Sequence, residues 1–206
     1  MSSRVPSLTA FGNRMLGRAI LPQQRMRASQ FEALPRPAAD VVFLGDSITE
    51  YGLWNEWFPR LAVVNRGIAG DTSGGVLQRM HTAVGTQRVV SLLIGTNDLA
   101  IGVTPEKIAE NVAAIIARIT AGNETRVVLN SVMPRARSYR RPVRELNTVL
   151  SRVAADSGVT FLDLWPALAG PDGAIRSEFS GDRLHLTGAG YRAWLERLRP
   201  HIEAAE

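Results

Sequence analysis

Ser47 stands in Gly45-Asp46-Ser47-Ile48-Thr49, directly after a short apolar run, and Asp182-Arg183-Leu184-His185 lies near the far end of the chain. A hydroxyl, an imidazole and a carboxylate together are the parts of an acyl-transfer site. A serine hydroxyl is a poor nucleophile until a base removes its proton, and an imidazole titrating near ~6.5 is the side chain suited to that task. The chain has His81, His185 and His201. His81 falls in an expected helix following Gly75, and His201 follows Pro200 close to the terminus, so His185 is the expected base. Asp182, three residues before it, is placed to hold the ring in the tautomer that leaves its other nitrogen for the serine. Asp182 also follows Gly181 and is equally suited to turning the loop.

Attack on an ester carbonyl creates an oxyanion, which needs preorganised donors. Three are at hand: the backbone N–H of Ser47, the backbone N–H of Gly70 in Gly67-Ile68-Ala69-Gly70-Asp71, and the side-chain amide of Asn97 in Gly95-Thr96-Asn97-Asp98. Glycine lets a loop bring its N–H close with no side chain in the way, and Asn97 supplies an uncharged donor. Each taken alone is ordinary turn chemistry. Asp46, Asp71 and Asp98 would repel a developing negative charge if they faced it, so their side chains are expected to point away and brace the loops.

These residues need a frame that gathers them. From Asp40 onward, short β-branched runs alternate with helix-period segments, the pattern of a parallel sheet covered by helices and thus of an α/β fold. The expected strands are 40–44, 61–65, 88–94, 126–131 and 159–163, all near-continuous apolar runs as in strands buried on both faces. Between the third and fourth lies an expected helix with Thr104 as cap, Pro105 in its first turn, Gly122 at its stop, and Ile108, Val112, Ile115, Ile116 and Ile119 on one face. Val143, Leu146, Val149, Leu150 and Val153 form a second stripe, preceded by Pro142. Tyr191, Trp194, Leu195 and Leu198 form a third, capped by Thr187. In open parallel sheets ligands bind beyond the carboxyl ends of the strands. The three glycine-bearing turns follow the first, second and third strands and so share one rim, and the Asp182–His185 segment follows the fifth.

Composition narrows the alternatives. At 206 residues, 45% hydrophobic and 21% charged, the chain has the makeup of an ordinary globular protein of one domain, and no internal repeat or low-complexity linker divides it. The expected division is an N-terminal arm over 1–39, with a helix around 24–34, and a single α/β domain over 40–206 that carries the candidate site. There are no cysteines, which removes disulfides, thiolate metal sites and cysteine nucleophiles. The formal charge is +5 and Lys107 is the lone lysine, so the positive charge is nearly all arginine. The arginines are scattered, densest at Arg135, Arg137, Arg140 and Arg141, and nucleic-acid binding is not expected of them. No apolar run approaches the ~20 residues of a membrane span. The first thirty residues hold five arginines and no acid, mildly like an organellar transit peptide, while Arg14 and Arg18 interrupt any secretory core. The location expected is cytoplasmic. Trp54 and Trp57 after the nucleophile turn are candidates for an apolar or sugar-stacking wall, and equally for core.

The four blocks Gly45-Asp46-Ser47-Ile48-Thr49, Asn65-Arg66-Gly67-Ile68-Ala69-Gly70-Asp71, Ile94-Gly95-Thr96-Asn97-Asp98 and Asp182-Arg183-Leu184-His185, in this order, resemble those of the SGNH (GDSL-type) hydrolases, and the resemblance covers about 40–199. It implies a three-layer α/β/α sandwich with a five-stranded parallel sheet in flavodoxin-like order. It further implies Ser47 as nucleophile, Asp182 and His185 completing a triad, Ser47, Gly70 and Asn97 as oxyanion hole, and no metal or organic cofactor. The second and third blocks are most similar to the bacterial branch related to the catalytic subunits of platelet-activating-factor acetylhydrolase, which implies short acyl groups, acetyl above all. Ile48-Thr49 after the serine sets the chain apart from the G-x-S-x-G elbow of the larger α/β-hydrolases. The expected activity is a serine esterase on a small-molecule ester. The alternatives are a lysophospholipase or acyl-thioesterase acting on longer chains and a non-catalytic module binding an anionic ligand. Assembly into a homo-oligomer is left open.

Overall fold

A computed structural model describes residues 22–122 and 124–203. A first helix, α1, runs over 22–33 and leads into β1 (Ala38–Gly45). β1 is followed by the short helices α2 (Ser47–Glu50) and α3 (Trp54–Trp57), then β2 (Val63–Gly67). Next come α4 (Ser73–Gln78), α5 (Met80–Ala83), β3 (Thr86–Leu93), α6 (Thr96–Ala100) and α7 (Pro105–Thr120). β4 (Arg126–Asn130), α8 (Arg140–Asp156), β5 (Thr160–Leu162), α9 (Trp165–Leu168) and α10 (Gly188–Glu203) complete the order.

The five strands pair in parallel in the order β2-β1-β3-β4-β5, the expected flavodoxin-like arrangement. Because successive side chains point to opposite faces, each strand feeds two cores. Val42, Leu44, Val90, Leu92, Val127 and Leu129 enter one, closed by Ile108, Val112, Ile115, Ile116 and Ile119 of α7 and Val143, Leu146 and Leu150 of α8. Val41, Phe43, Val89, Leu93, Val128 and Leu162 enter the other, closed by Tyr191, Trp194, Leu195 and Leu198 of α10. The α/β/α layering follows. Thr104 caps α7 as expected, accepting from Lys107 N–H, and Thr187 accepts from Gly190 N–H at the start of α10.

Several expectations shift. β2 begins two residues later than the apolar run, because pairing with β1 starts at Val41 opposite Val63 while Leu61 N–H closes a turn onto Phe58 O. Leu61 thus adds to the core from a turn rather than from the strand. The helix expected after Gly75 is instead α4 and α5, and α4 starts ahead of that glycine, capped by Thr72. Gly75 belongs inside it because a Cβ there would stand 1.9 Å from Asp71 Oδ1. Trp54 is core and not a substrate wall: it is 2% exposed and stacks on Phe43 with ring centroids 3.8 Å apart.

Candidate functional site

β1 and β3 are neighbours in the sheet whose connections leave in opposite directions, which makes the crevice at their carboxyl ends the topological switch point. Ser47 opens α2 just past β1, and Asn97 lies in the first turn of α6 just past β3. The chain turns into α2 because Asp46 Oδ1 accepts from Ile48 N–H at 3.0 Å, an N-cap that leaves Ser47 in the first helical position. The carbonyls of α2 are also held. Tyr191 Oη donates to Ile48 O at 2.7 Å, Trp54 Nε1 donates to Thr49 O at 2.8 Å, and Asn65 Nδ2 donates to Glu50 O at 2.9 Å. Burial, with the charges of Asp46 and Tyr51 nearby, pushes the Tyr191 phenol well above its ordinary value, so it stays a donor.

Ser47 Oγ lies 2.9 Å from His185 Nε2, and His185 Nδ1 lies 2.5 Å from Asp182 Oδ2. Residues 138 apart in sequence thus meet. The loop from 180 to 185 is shaped by Asp182 itself, whose Oδ1 accepts from Leu184 N–H at 2.9 Å and His185 N–H at 2.8 Å. Burial, the largest single influence on this carboxyl, raises its pKa, but the His185 ring bond, the two backbone donors and the His185 charge outweigh it and hold Asp182 well below the ordinary carboxylate range. The Tyr51 ring tilts against the imidazole, with centroids 5.4 Å apart, and remains exposed.

Asn97 Nδ2 donates to Asp71 O at 2.9 Å, and an amide nitrogen carries a second hydrogen. Gly70 has φ of +76°, the region where glycine is favoured, and its N–H donates to no acceptor among the described residues.

The three acids beside these donors are turned into loop-bracing roles, as expected. Asp98 accepts from Ser73 N–H and, at 2.6 Å, from Ser73 Oγ. Asp71 takes Thr72 N–H and, at 2.7 Å, Arg79 Nε, while Arg79 Nη2 donates to Gly45 O and Arg66 O. Burial raises the Asp71 carboxyl even so, with Arg79 opposing it. Arg135 closes another side: Nη1 donates to Thr96 O at 3.0 Å and its guanidinium covers the Tyr139 ring at 4.0 Å. The arginine-dense stretch is therefore divided, since Arg141 is paired outward with Glu145. His81 sits beside Glu32 and His201 in the last turn of α10. Among the described residues no group of His, Asp and Glu is arranged to hold a metal ion.

Asp46 carries a testable consequence. Its carboxyl is 1% exposed and its Oδ2 has no hydrogen-bond partner. Burial first, then the Asp71 and Asp98 charges, push its pKa from the ordinary 3.8 up to about 7, against the opposing pull of Ile48 N–H and Arg135. A carboxyl raised in the folded state costs nothing when both states are protonated and destabilises increasingly as pH rises toward the folded pKa. Asn at this position keeps the oxygen that caps α2 and cannot ionise. The melting temperature of Asp46→Asn relative to the parent is therefore expected to rise between pH 4 and pH 7.5, and a difference independent of pH contradicts this reading.

The GDSL-like lipase/acylhydrolase family model matches residues 43–193. The platelet-activating factor acetylhydrolase IB subunit alpha2 of Rattus norvegicus is 32% identical over 165 residues, which cover 74% of this chain and 71% of that protein. A Streptococcus pneumonia structure, provisionally described as a platelet activating factor, is similar with TM-score 0.84 and 26% identity over 94% of this chain and 99% of that one. A GDSL-like lipase from Bacteroides thetaiotaomicron is similar with TM-score 0.76 and 26% identity, covering 89% and 98%. The parallel sheet with its serine turn at the switch point is that of an SGNH-type ester hydrolase. The chain belongs to the GDSL-like lipase/acylhydrolase family.

Gln24, Glu50 and Arg79 belong to no motif of the sequence, and Tyr191 stands there as one position of an apolar core stripe. Their signal is in the fold alone: each reaches a backbone group far away in sequence.

Proposed function

We propose that this chain is a serine esterase that hydrolyses carboxylic esters with short acyl chains, acetyl above all, through Ser47, His185 and Asp182 and a covalent acyl-enzyme. His185 Nε2 accepts the Ser47 Oγ proton as Oγ attacks the ester carbonyl, and the ring then gives that proton to the departing alkoxide. Asp182 holds the proton on Nδ1, so that Nε2 presents its lone pair to the serine. The same ring next takes a proton from the water that attacks the acyl-serine and returns it to Ser47 Oγ as that bond breaks, which releases the acid and restores the serine. The oxyanion formed in each half is received by Ser47 N–H, Gly70 N–H and the second Asn97 Nδ2 hydrogen.

The observation that carries this reading is the continuous relay from Ser47 Oγ to His185 Nε2 at 2.9 Å and from His185 Nδ1 to Asp182 at 2.5 Å. The preference for acetyl is supported by the name of the 32% identical relatives, which are acetylhydrolase subunits. A p-nitrophenyl ester series tests it. kcat/KM is expected to be highest for acetate and to fall about tenfold or more by octanoate, one to a few kcal/mol being what methylenes in or out of an apolar pocket contribute. A preference for octanoate overturns the short-acyl reading in favour of a lysophospholipase or thioesterase. A folded protein that an organophosphonate fails to label at Ser47 overturns the esterase itself in favour of a binding module.

A further inference from the structure

We propose that Gln24, on the helix ahead of the matched family segment, is a positioning residue that sets the direction of the Gly70 N–H. The inference rests on the reading of Gly70 as an oxyanion donor. The Gly70 N–H shares one peptide unit with the Ala69 carbonyl, and in a planar trans peptide the two point in opposite directions. Whatever holds Ala69 O therefore aims Gly70 N–H. Gln24 Nε2 donates to Ala69 O at 3.0 Å. The preceding peptide is fixed from the other side, because Ala69 N–H donates to Glu50 Oε2 at 2.5 Å, and Glu50 is the last residue of the short helix that Ser47 opens. The nucleophile turn and the oxyanion loop are thus tied through one carboxylate.

Such a clamp is needed at this place. Glycine at φ of +76° has access to backbone conformations closed to other residues, so an unheld Ala69–Gly70 peptide is free to rotate and withdraw its N–H. The helix that supplies the clamp is itself anchored. Its residues 24, 27, 28 and 31 lie three, four and seven apart, share one face and are the ones shielded from solvent. Phe31, 4% exposed, lies beneath the guanidinium groups of Arg66 at 4.5 Å, Arg27 at 5.1 Å and Arg79 at 5.9 Å. Arg27, one turn beyond Gln24, stands 3.6 Å from Glu50 Oε1. The helix docks by its aromatic anchor, and Gln24 then holds the Ala69 carbonyl.

The test uses the full chain with p-nitrophenyl acetate, and kcat is expressed per serine titrated to completion by an organophosphonate, which removes any loss of folded protein from the comparison. Gln24→Ala leaves Ala69 O without its donor, and Gln24→Glu sets a carboxylate against it. Losing an oxyanion donor outright costs about 10²–10³ in rate. Loosening one is expected to lower kcat about 10–100-fold in Gln24→Ala and at least as far in Gln24→Glu, with KM changed by less than about twofold. Wild-type kcat per titrated serine in both variants overturns the inference, as does a loss confined to KM or to melting temperature. The parent reading fails separately: if the unsubstituted protein shows no turnover and no serine labelling, the esterase assignment is lost whatever residue 24 does.

Discussion

Ser47→Ala is expected to lower kcat for p-nitrophenyl acetate by about 10⁴–10⁶-fold, the scale on which a nucleophile acting as one unit with its base is lost. The structure lets this loss be read as chemistry. Ser47 is 5% exposed, and its hydroxyl is bonded to His185 Nε2 and to no other group among the described residues. The turn that carries it does not depend on that hydroxyl, because the N-cap is made by Asp46 and the carbonyls of α2 are held by Tyr191, Trp54 and Asn65. Alanine is also the better helix former. The variant should fold with an unchanged melting temperature, and the Ser47 N–H, which belongs to the backbone, should still face a bound carbonyl. KM is therefore expected to change little while kcat collapses. Stopped assays at high protein concentration check this, and a variant retaining more than about 1% of kcat removes Ser47 from the reaction.

The parts of this site that were legible in the sequence are those in which one residue type at one place does the chemistry. A serine, a histidine and an aspartate in fixed blocks, on turns after successive apolar runs, sufficed to anticipate the 2.9 Å contact across 138 positions. The α7 stripe was legible for the same reason: its period, cap and stop are local, and all five expected isoleucine and valine positions are buried. What was not legible is the support. Tyr191 and Trp194 fall on an apolar stripe and are indeed buried, but their polar tips donate to Ile48 O and Asn130 Oδ1, partners that periodicity does not name. Gln24 on an exposed-looking helix and Glu50 at the end of a four-residue helix carry no motif, yet they hold both sides of Ala69. Strand β2 slid by two residues because hydrophobicity marks what packs on the core, and Leu61 packs there, partly buried, from a turn. Tertiary contacts decide such positions, and local pattern does not contain them.

Asp182→Asn is expected to lower kcat about 10³–10⁴-fold at neutral pH while leaving the fold and the active-site loop in place. Asp182 performs two tasks with two oxygens. Oδ1 accepts from the backbone of Leu184 and His185 and from Ser180 Oγ, and Oδ2 faces His185 Nδ1. In an asparagine the carbonyl oxygen must occupy the first place, because an NH₂ group there would confront two backbone N–H donors. The NH₂ then falls opposite Nδ1 and makes that nitrogen an acceptor. The proton moves to Nε2, and the ring offers Ser47 a donor where catalysis needs a base. The loop stays folded and the tautomer is wrong. Asp182→Ala removes both tasks. Arg183 is held at φ of +65°, a left-handed conformation that costs a side-chain-bearing residue about 1–2 kcal/mol, and the Asp182 bonds to the two following N–H groups are what hold the turn closed over it. Without them the loop is expected to relax, carrying His185 away from Ser47. The alanine variant should therefore lose at least as much kcat as the asparagine variant and also melt lower. Kinetics and thermal melts of the pair separate the two roles. An asparagine variant within tenfold of the parent means that something other than Asp182 sets the His185 tautomer, and equal melting temperatures for the two variants mean that the carboxylate does not shape the loop.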